Sequence, residues 1–319
     1  MATNTANPHG PGTLLIALGG HALMPLGATP SVEGQFAQAA VVMRSIAELI
    51  ETGWRVVITH GNGPQVGNIL TRSELAAAEA YVIPLSIAVA ESEGEIGYIV
   101  QQVLYNELAA RHLHRPIATV LTQVEVREDD RAFQHPTKPI GPVLTDAQAN
   151  ALRERGVSVQ RFPAGLRRTV ASPEPVRIVE AGVVRQLAES GVVVIAAGGG
   201  GIPVVSDGER LRGVDAVVDK DLASATLAID IAADRFLIVT DVDAAYLDFG
   251  TPQQKAIARL TVAEARRLAS EGHFPPGSMG PKIEGACRFA ERTGRPAAIT
   301  SSHLLKAAVA GEAGTAVVT

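Results

Sequence analysis

Arg55-Val56-Val57-Ile58-Thr59-His60-Gly61-Asn62-Gly63-Pro64-Gln65-Val66-Gly67 is the stretch on which the fold turns. It reads as a strand of largely β-branched residues running straight into a glycine loop. Upstream, Leu14-Leu15-Ile16-Ala17-Leu18 is a buried strand that ends the same way, at Gly19-Gly20. Between them Phe36, Ala40, Met43, Ala47 and Ile50 recur at helical spacing, and Gly53 stops the helix.

The alternation continues downstream. A helix is predicted from about Val89 to Arg111, a strand over Ile117 to Leu121, a helix before Gly191 and a strand over Val192 to Ala196. Then come a helix after Asp221, a strand over Phe236 to Val239, a helix near Thr261 with a capping box completed by Glu264, and a last helix after Gly280. Such alternation predicts an α/β fold on a mainly parallel sheet. Residues 125–172 break the rhythm with mixed charges and several prolines, so they read as an inserted subdomain. The expected division is a loose tail over 1–12, an N-terminal lobe over 13–124 and 173–210, the insert over 125–172 as a protruding lid, and a C-terminal lobe over 211–319. The lid is expected to hinge near Glu125 and Ser172.

The chain has 319 residues and a net charge of -5, so it does not seek polyanions, and nucleic acid is not an expected partner. The apolar run from Val192 to Val205 is broken by Gly198 through Gly201 and by Pro203, so no membrane span is expected. The single cysteine, Cys287, cannot form an internal disulfide, and the opening Met1-Ala2-Thr3-Asn4 shows no basic-then-apolar leader; both point to a cytoplasmic protein. Metal-ligand spacings such as H-E-x-x-H or paired C-x-x-C are absent from the sequence.

Four glycine loops follow apolar segments: Gly19-Gly20, His60 to Pro64, Gly198 to Gly201, and Gly277-Ser278-Met279-Gly280-Pro281-Lys282. Any one is explained by a turn, but four together read as amide cradles for phosphate. Gly61, Gly63 and Gly67 do not have dinucleotide-fold spacing, and no Gly-Lys pair exists to make a Walker loop. Of 28 basic residues only five are lysine: Lys138, Lys220, Lys255, Lys282 and Lys306. In a chain that prefers arginine, Lys138, Lys220 and Lys282 in turn or loop-to-helix settings suit a migrating phosphoryl group, while Lys255 and Lys306 read as surface charges. Asp219 and Asp221 can orient those lysines or cap a helix. Thr240-Asp241 and Tyr246 follow a strand C-terminus, where open α/β sheets bind ligands.

Taken in order, these segments resemble the carbamate kinases of the amino acid kinase family. The resemblance is carried by Ala17 to Gly20, His60 to Gly67, Glu91 to Tyr98, Leu121 to Val124, Pro136 to Pro142, Ser172 to Pro175, Ala197 to Pro203, Val218 to Leu222, Thr240 to Val242, Gln254 to Ile257 and Gly277 to Lys282. It implies a three-layer α/β/α sandwich, a homodimer, and reversible phosphoryl transfer between ATP and carbamate with Mg²⁺. By resemblance Gly19, Gly20, His21, Gly61, Asn62, Gly63, Gly199 and Gly200 bind the acid. Lys138, Lys220, Asp221 and Lys282 are the catalytic set. Asp219, Thr240, Asp241, Tyr246, Gly277, Ser278, Met279 and Gly280 hold ATP or ADP, with the metal on the nucleotide phosphates. His21 stands where the family has Asn, which keeps open a relative that phosphorylates another small acid, or a sensor that binds without turnover.

Overall fold

The computed structural model describes residues 11–19 and 31–319. Gly20 and His21 lie outside the described residues, as does the expected tail except for its last two positions. The elements run β1 (Thr13–Leu18), α1 (Val32–Glu51), β2 (Arg55–His60), α2 (Gly63–Leu75), α3 (Leu85–Ala110), β3 (Ile117–Thr119) and β4 (Gln123–Val126). Next come β5 (Lys138–Leu144), α4 (Asp146–Glu154), β6 (Val159–Phe162), β7 (Gly165–Val170), β8 (Pro175–Ile178), α5 (Ala181–Glu189) and β9 (Val193–Ile195). A hairpin of β10 (Ile202–Asp207) and β11 (Arg210–Gly213) leads to α6 (Lys220–Asp230) and β12 (Arg235–Val239). The chain continues through β13 (Ala245–Leu247), β14 (Lys255–Ile257), β15 (Arg259–Thr261), α7 (Val262–Ser270) and α8 (Met279–Thr293). It finishes with β16 (Ala297–Thr300), α9 (Leu305–Ala310) and β17 (Thr315–Val318).

The main sheet has the order β15-β17-β16-β12-β1-β2-β9-β3. All its neighbours pair parallel except β16 with β17, so the mainly parallel expectation holds. β1 is buried over its whole length because it is covered on both faces. Leu14, Ile16 and Leu18 face α1, α3 and α9, whereas Leu15 and Ala17 face α5, α6, α7 and α8. Successive side chains of a strand point to opposite faces, so two cores on one sheet make three layers.

The sheet also has a switch point. β1 is flanked by β2 on one side and β12 on the other, so the strand-end loops of the two halves open into one crevice.

Several boundaries move. α3 begins at Leu85, one turn before the predicted Val89, because Pro84 provides an extended entry residue and Leu85 and Ala88 are buried. β3 stops at Thr119 rather than Leu121. α2 is absent from the sequence-based reading; Gly61, Asn62, Gly63 and Pro64 read as a loop, whereas Pro64 sits in the first helical turn, where its missing N–H costs nothing. The insert contains a three-stranded sheet, β5-β7-β6, whose antiparallel pairs and α4 leave no parallel rhythm to read. Thr261 and Glu264 do make the predicted capping box.

Candidate functional site

The crevice is built from strand ends. β2 runs through His60 into Gly61-Asn62-Gly63, and Asn62 precedes the first turn of α2. Asn62 does not cap the helix with its side chain; its Nδ2 donates to Ser92 Oγ of α3 at 2.8 Å, and that hydroxyl donates to Val89 O at 2.6 Å. The amide is thereby turned against the second glycine loop. A Cβ on Gly199, whose φ is +65°, would lie 2.0 Å from Asn62 Nδ2, so only glycine fits there. Ala197, left-handed at φ 49°, opens this loop and donates its N–H to Thr122 Oγ1 at 2.9 Å.

The three singled-out lysines meet at the N-terminus of α6. Asp219 caps that helix, with Oδ1 accepting from Asp221 N at 2.9 Å, and its Oδ2 accepts from Lys138 Nζ at 3.1 Å. Asp221 Oδ1 accepts from Lys220 Nζ at 2.8 Å and Oδ2 from Lys282 Nζ at 2.9 Å. The insert, α6 and α8 thus each deliver one ammonium to a pair of aspartates on one helical turn. Gly200 packs against Val218 O, just before this turn, and Thr59 Oγ1 shares a 2.6 Å hydrogen bond with Ser224 Oγ of α6. These contacts bring the lysines to the glycine loops.

Burial would raise the Asp221 carboxyl, but Lys220 and Lys282, one on each oxygen, outweigh it and hold the group well below the usual carboxylate range. Burial pushes the Lys220 ammonium down, and Lys282 adds to this while Asp221 offsets it. Lys282 is also pulled down by burial, yet Asp221, Asp219 and Asp241 carry it net upward. A shared carboxylate therefore keeps two cations together in a nearly dry place.

Asp241 accordingly stands within the field of Lys282, and with Gly19 and Thr240 it lines a cleft at the ends of β1 and β12. Met279 and Gly280 occupy the first turn of α8, ahead of Lys282, with Gly277 and Ser278 exposed just before it. Tyr246 sits on the β13–β14 hairpin, half-buried, its ring centre 5.8 Å from that of Phe249. Cys287 is buried in the α8 core, its thiol pushed up to about 11 by that burial.

Two buried polar side chains in this region are missed by the sequence reading. His60 is 1 % exposed, and burial pushes it down to about 4, so it is neutral at ordinary pH. Glu93, also 1 % exposed, accepts from Thr122 N at 2.8 Å through Oε2, and its Oε1 is buried without a hydrogen-bond partner. Both side chains press on Gly198. Ser92 and Glu93 share the buried side of α3 with Val89, Ile96 and Val100, and polar residues on an apolar helix face are the signal that marks them.

Burial, with Glu180 contributing, raises Glu93 well above its ordinary value. The folded state then binds a proton that the unfolded chain releases above about pH 4.5. Stability is therefore lost as pH rises through and above that value. Glu93→Gln keeps an acceptor for Thr122 N and removes the titration, so its stability relative to the parent is expected to improve as pH rises above about 4.5. Urea unfolding across that range checks this, and a constant difference would refute a protonated Glu93.

The profile of the amino acid kinase family matches residues 12–301. The carbamate kinase-like protein YahI of Escherichia coli is 44% identical over 311 residues, covering 96% of this chain and 98% of its own. The carbamate kinase of Pyrococcus furiosus is 45% identical over 311 residues, covering 95% and 98%. The structure of Giardia lamblia carbamate kinase bound to AMP-PNP superposes with a TM-score of 0.90 at 36% identity, covering 96% of this chain and 98% of that one. The parallel sheet with its switch-point crevice, the matched profile and relatives of this identity over nearly the full length lead to one statement: the chain belongs to the amino acid kinase family.

Proposed function

We propose that the protein is a carbamate kinase, moving a phosphoryl group reversibly between ATP and carbamate. The observation that carries this reading is the convergence of Lys138, Lys220 and Lys282 on Asp219 and Asp221 beside the glycine loops, in a chain 45% identical to a carbamate kinase. In one direction a carbamate oxygen attacks the γ-phosphorus, the bond to the β-phosphate oxygen breaks and ADP leaves. In the other, a β-phosphate oxygen of ADP attacks the phosphorus of carbamoyl phosphate and carbamate leaves. Both nucleophiles are already anionic, so the protein needs to position and neutralise rather than to abstract a proton.

In this reading Gly19, Gly20, His21, the amides of Gly61 to Gly63, and Gly199 and Gly200 receive the acid and its phosphate, with Lys138 closing from the insert. Lys220 and Lys282 follow the phosphoryl group, and Asp221 keeps both aimed. Asp219, Thr240, Asp241, Tyr246 and the turn from Gly277 to Gly280 hold the nucleotide. A Mg²⁺ would come with the nucleotide phosphates, and Asp241 is the carboxylate in the cleft that would help to hold it. That ion would supply further neutralisation of the phosphates. Residues 125–172 act as the lid. We also read the protein as a cytoplasmic homodimer; exposed Tyr98, Tyr105 and Leu121, beside edge strand β3, support a self-association face.

The test is ATP formation from ADP and a panel of acyl phosphates. Rapid, saturable ATP synthesis from carbamoyl phosphate is expected. Turnover confined to another acyl phosphate would overturn the substrate assignment and favour the relative suggested by His21. No turnover with any of them would favour the binding-only alternative.

A further inference from the structure

Gly67 and Gly141 belong to two motifs, His60 to Gly67 and Pro136 to Pro142, that the phosphate site leaves partly unexplained. In the structure these two glycines lie against each other, one on α2 and one on β5 of the insert. A Cβ on Gly67 would fall 1.9 Å from Gly141 Cα and 2.3 Å from its N. Those are backbone atoms, so no rotamer relieves the clash; α2 and the insert must part. In the reverse sense a Cβ on Gly141 would lie 3.3 Å from Gly67 Cα, and Gly141 holds a φ of +70°.

The surroundings make this contact a seat. Ile140, 1 % exposed, and Val170 pack with Val66, Ile69 and Leu70 of α2. Arg167 donates to Gly141 O at 2.6 Å. At the far end of α2, Glu74 pairs with Arg168 at 2.9 Å and Arg155 at 3.5 Å, both from the insert.

Three residues before Gly141 on the same strand is Lys138, whose ammonium reaches Asp219 at 3.1 Å. The first turn of α2 begins at Gly63, within the loop that faces the crevice. One helix therefore carries both a glycine loop and the support for the lysine.

We infer that Gly67 and Gly141 are positioning residues: their side-chain-free contact seats the insert on α2 and so sets the reach of Lys138 into the phosphoryl site. This rests on the reading of Lys138 as a phosphate-contacting group. Restoring an ordinary carbon contact of about 3.5 Å parts α2 and β5 by more than an ångström, enough to carry Lys138 Nζ, now 3.1 Å from Asp219 Oδ2, out of hydrogen-bond range. A misplacement of that size costs about 100-fold in rate.

The experiment is a cycle of the parent, Gly67→Ala, Lys138→Ala and the double variant, read as kcat/KM for carbamoyl phosphate. It is accompanied by spin-label distances between Leu75→Cys on α2 and Ala147→Cys on α4, both exposed positions. Gly67→Ala is expected to cost about 100-fold in the parent and little once Lys138 is gone, and the label distance should lengthen. Equal costs in both backgrounds, no cost in the parent, or an unchanged distance would overturn the inference. Should Lys138→Ala keep parental activity, the phosphate role of Lys138 fails, and the distance alone then decides whether the seat exists. If Gly67→Ala does not fold, Glu74→Gln loosens the same seat and is put through the same cycle with the same outcomes.

Discussion

Lys282→Ala and Lys220→Ala should each lower kcat by about 10³-fold, with ADP affinity changed only slightly. Each ammonium is buried or nearly so, and each holds one oxygen of Asp221 rather than a solvent-facing partner. Charges fixed in a water-poor site need no reorganisation when phosphoryl charge shifts between donor and acceptor oxygens, and their loss is felt most in the transition state. Either variant leaves Asp221 paired with the remaining lysine, so the fold should survive. Near-parental turnover in both variants would remove the lysines from the chemistry.

Asp221→Ala should be damaging in a different way. It leaves Lys220 and Lys282 facing each other in a buried place without the carboxylate that joins them. Breaking a buried ion pair by removing one partner costs about 3–5 kcal/mol, because the remaining charge is uncompensated. The pH dependence has a defined sign. The folded carboxyl is held below its unfolded value of 3.8, so its stabilisation is complete above that value and is lost as pH falls through the acid range. Urea unfolding should therefore show a large deficit for Asp221→Ala at neutral pH that narrows below about pH 4. A deficit independent of pH would mean that packing, and not charge, accounts for the loss.

The parts of the molecule that can be read from the chain are those written in local patterns. β1, β2 and β12 are runs of branched apolar residues closed by a glycine or a polar turn, and buried parallel strands demand that pattern. α2 is hidden because Gly61, Asn62, Gly63 and Pro64 look like breakers, although proline is at home in a first helical turn. The insert resists reading because the β5–β7 pairing shifts register between Ile140 and Leu144 and depends on partners distant in sequence.

At the site, the scarcity of lysine points to Lys138, Lys220 and Lys282, and the structure brings them together on Asp219 and Asp221. Which aspartate oxygen each lysine takes has no trace in the sequence, because Lys138 and Lys282 reach α6 from remote elements. Ser92 and Glu93 are absorbed into the apolar period of α3, and their bonds to Asn62 and Thr122 emerge only when three elements pack. The Gly67–Gly141 contact has no local signature at all; each glycine alone reads as an ordinary turn or helix residue.

A planar mimic of the phosphoryl group reports whether fixed positive charge meets that group in flight. With Mg²⁺ present, ADP with aluminium fluoride should bind the parent far more tightly than ADP alone, and Lys220→Ala and Lys282→Ala should lose most of that gain while keeping ADP affinity. If both variants weaken ADP and the mimic equally, or neither at all, the lysines are not aimed at the migrating group.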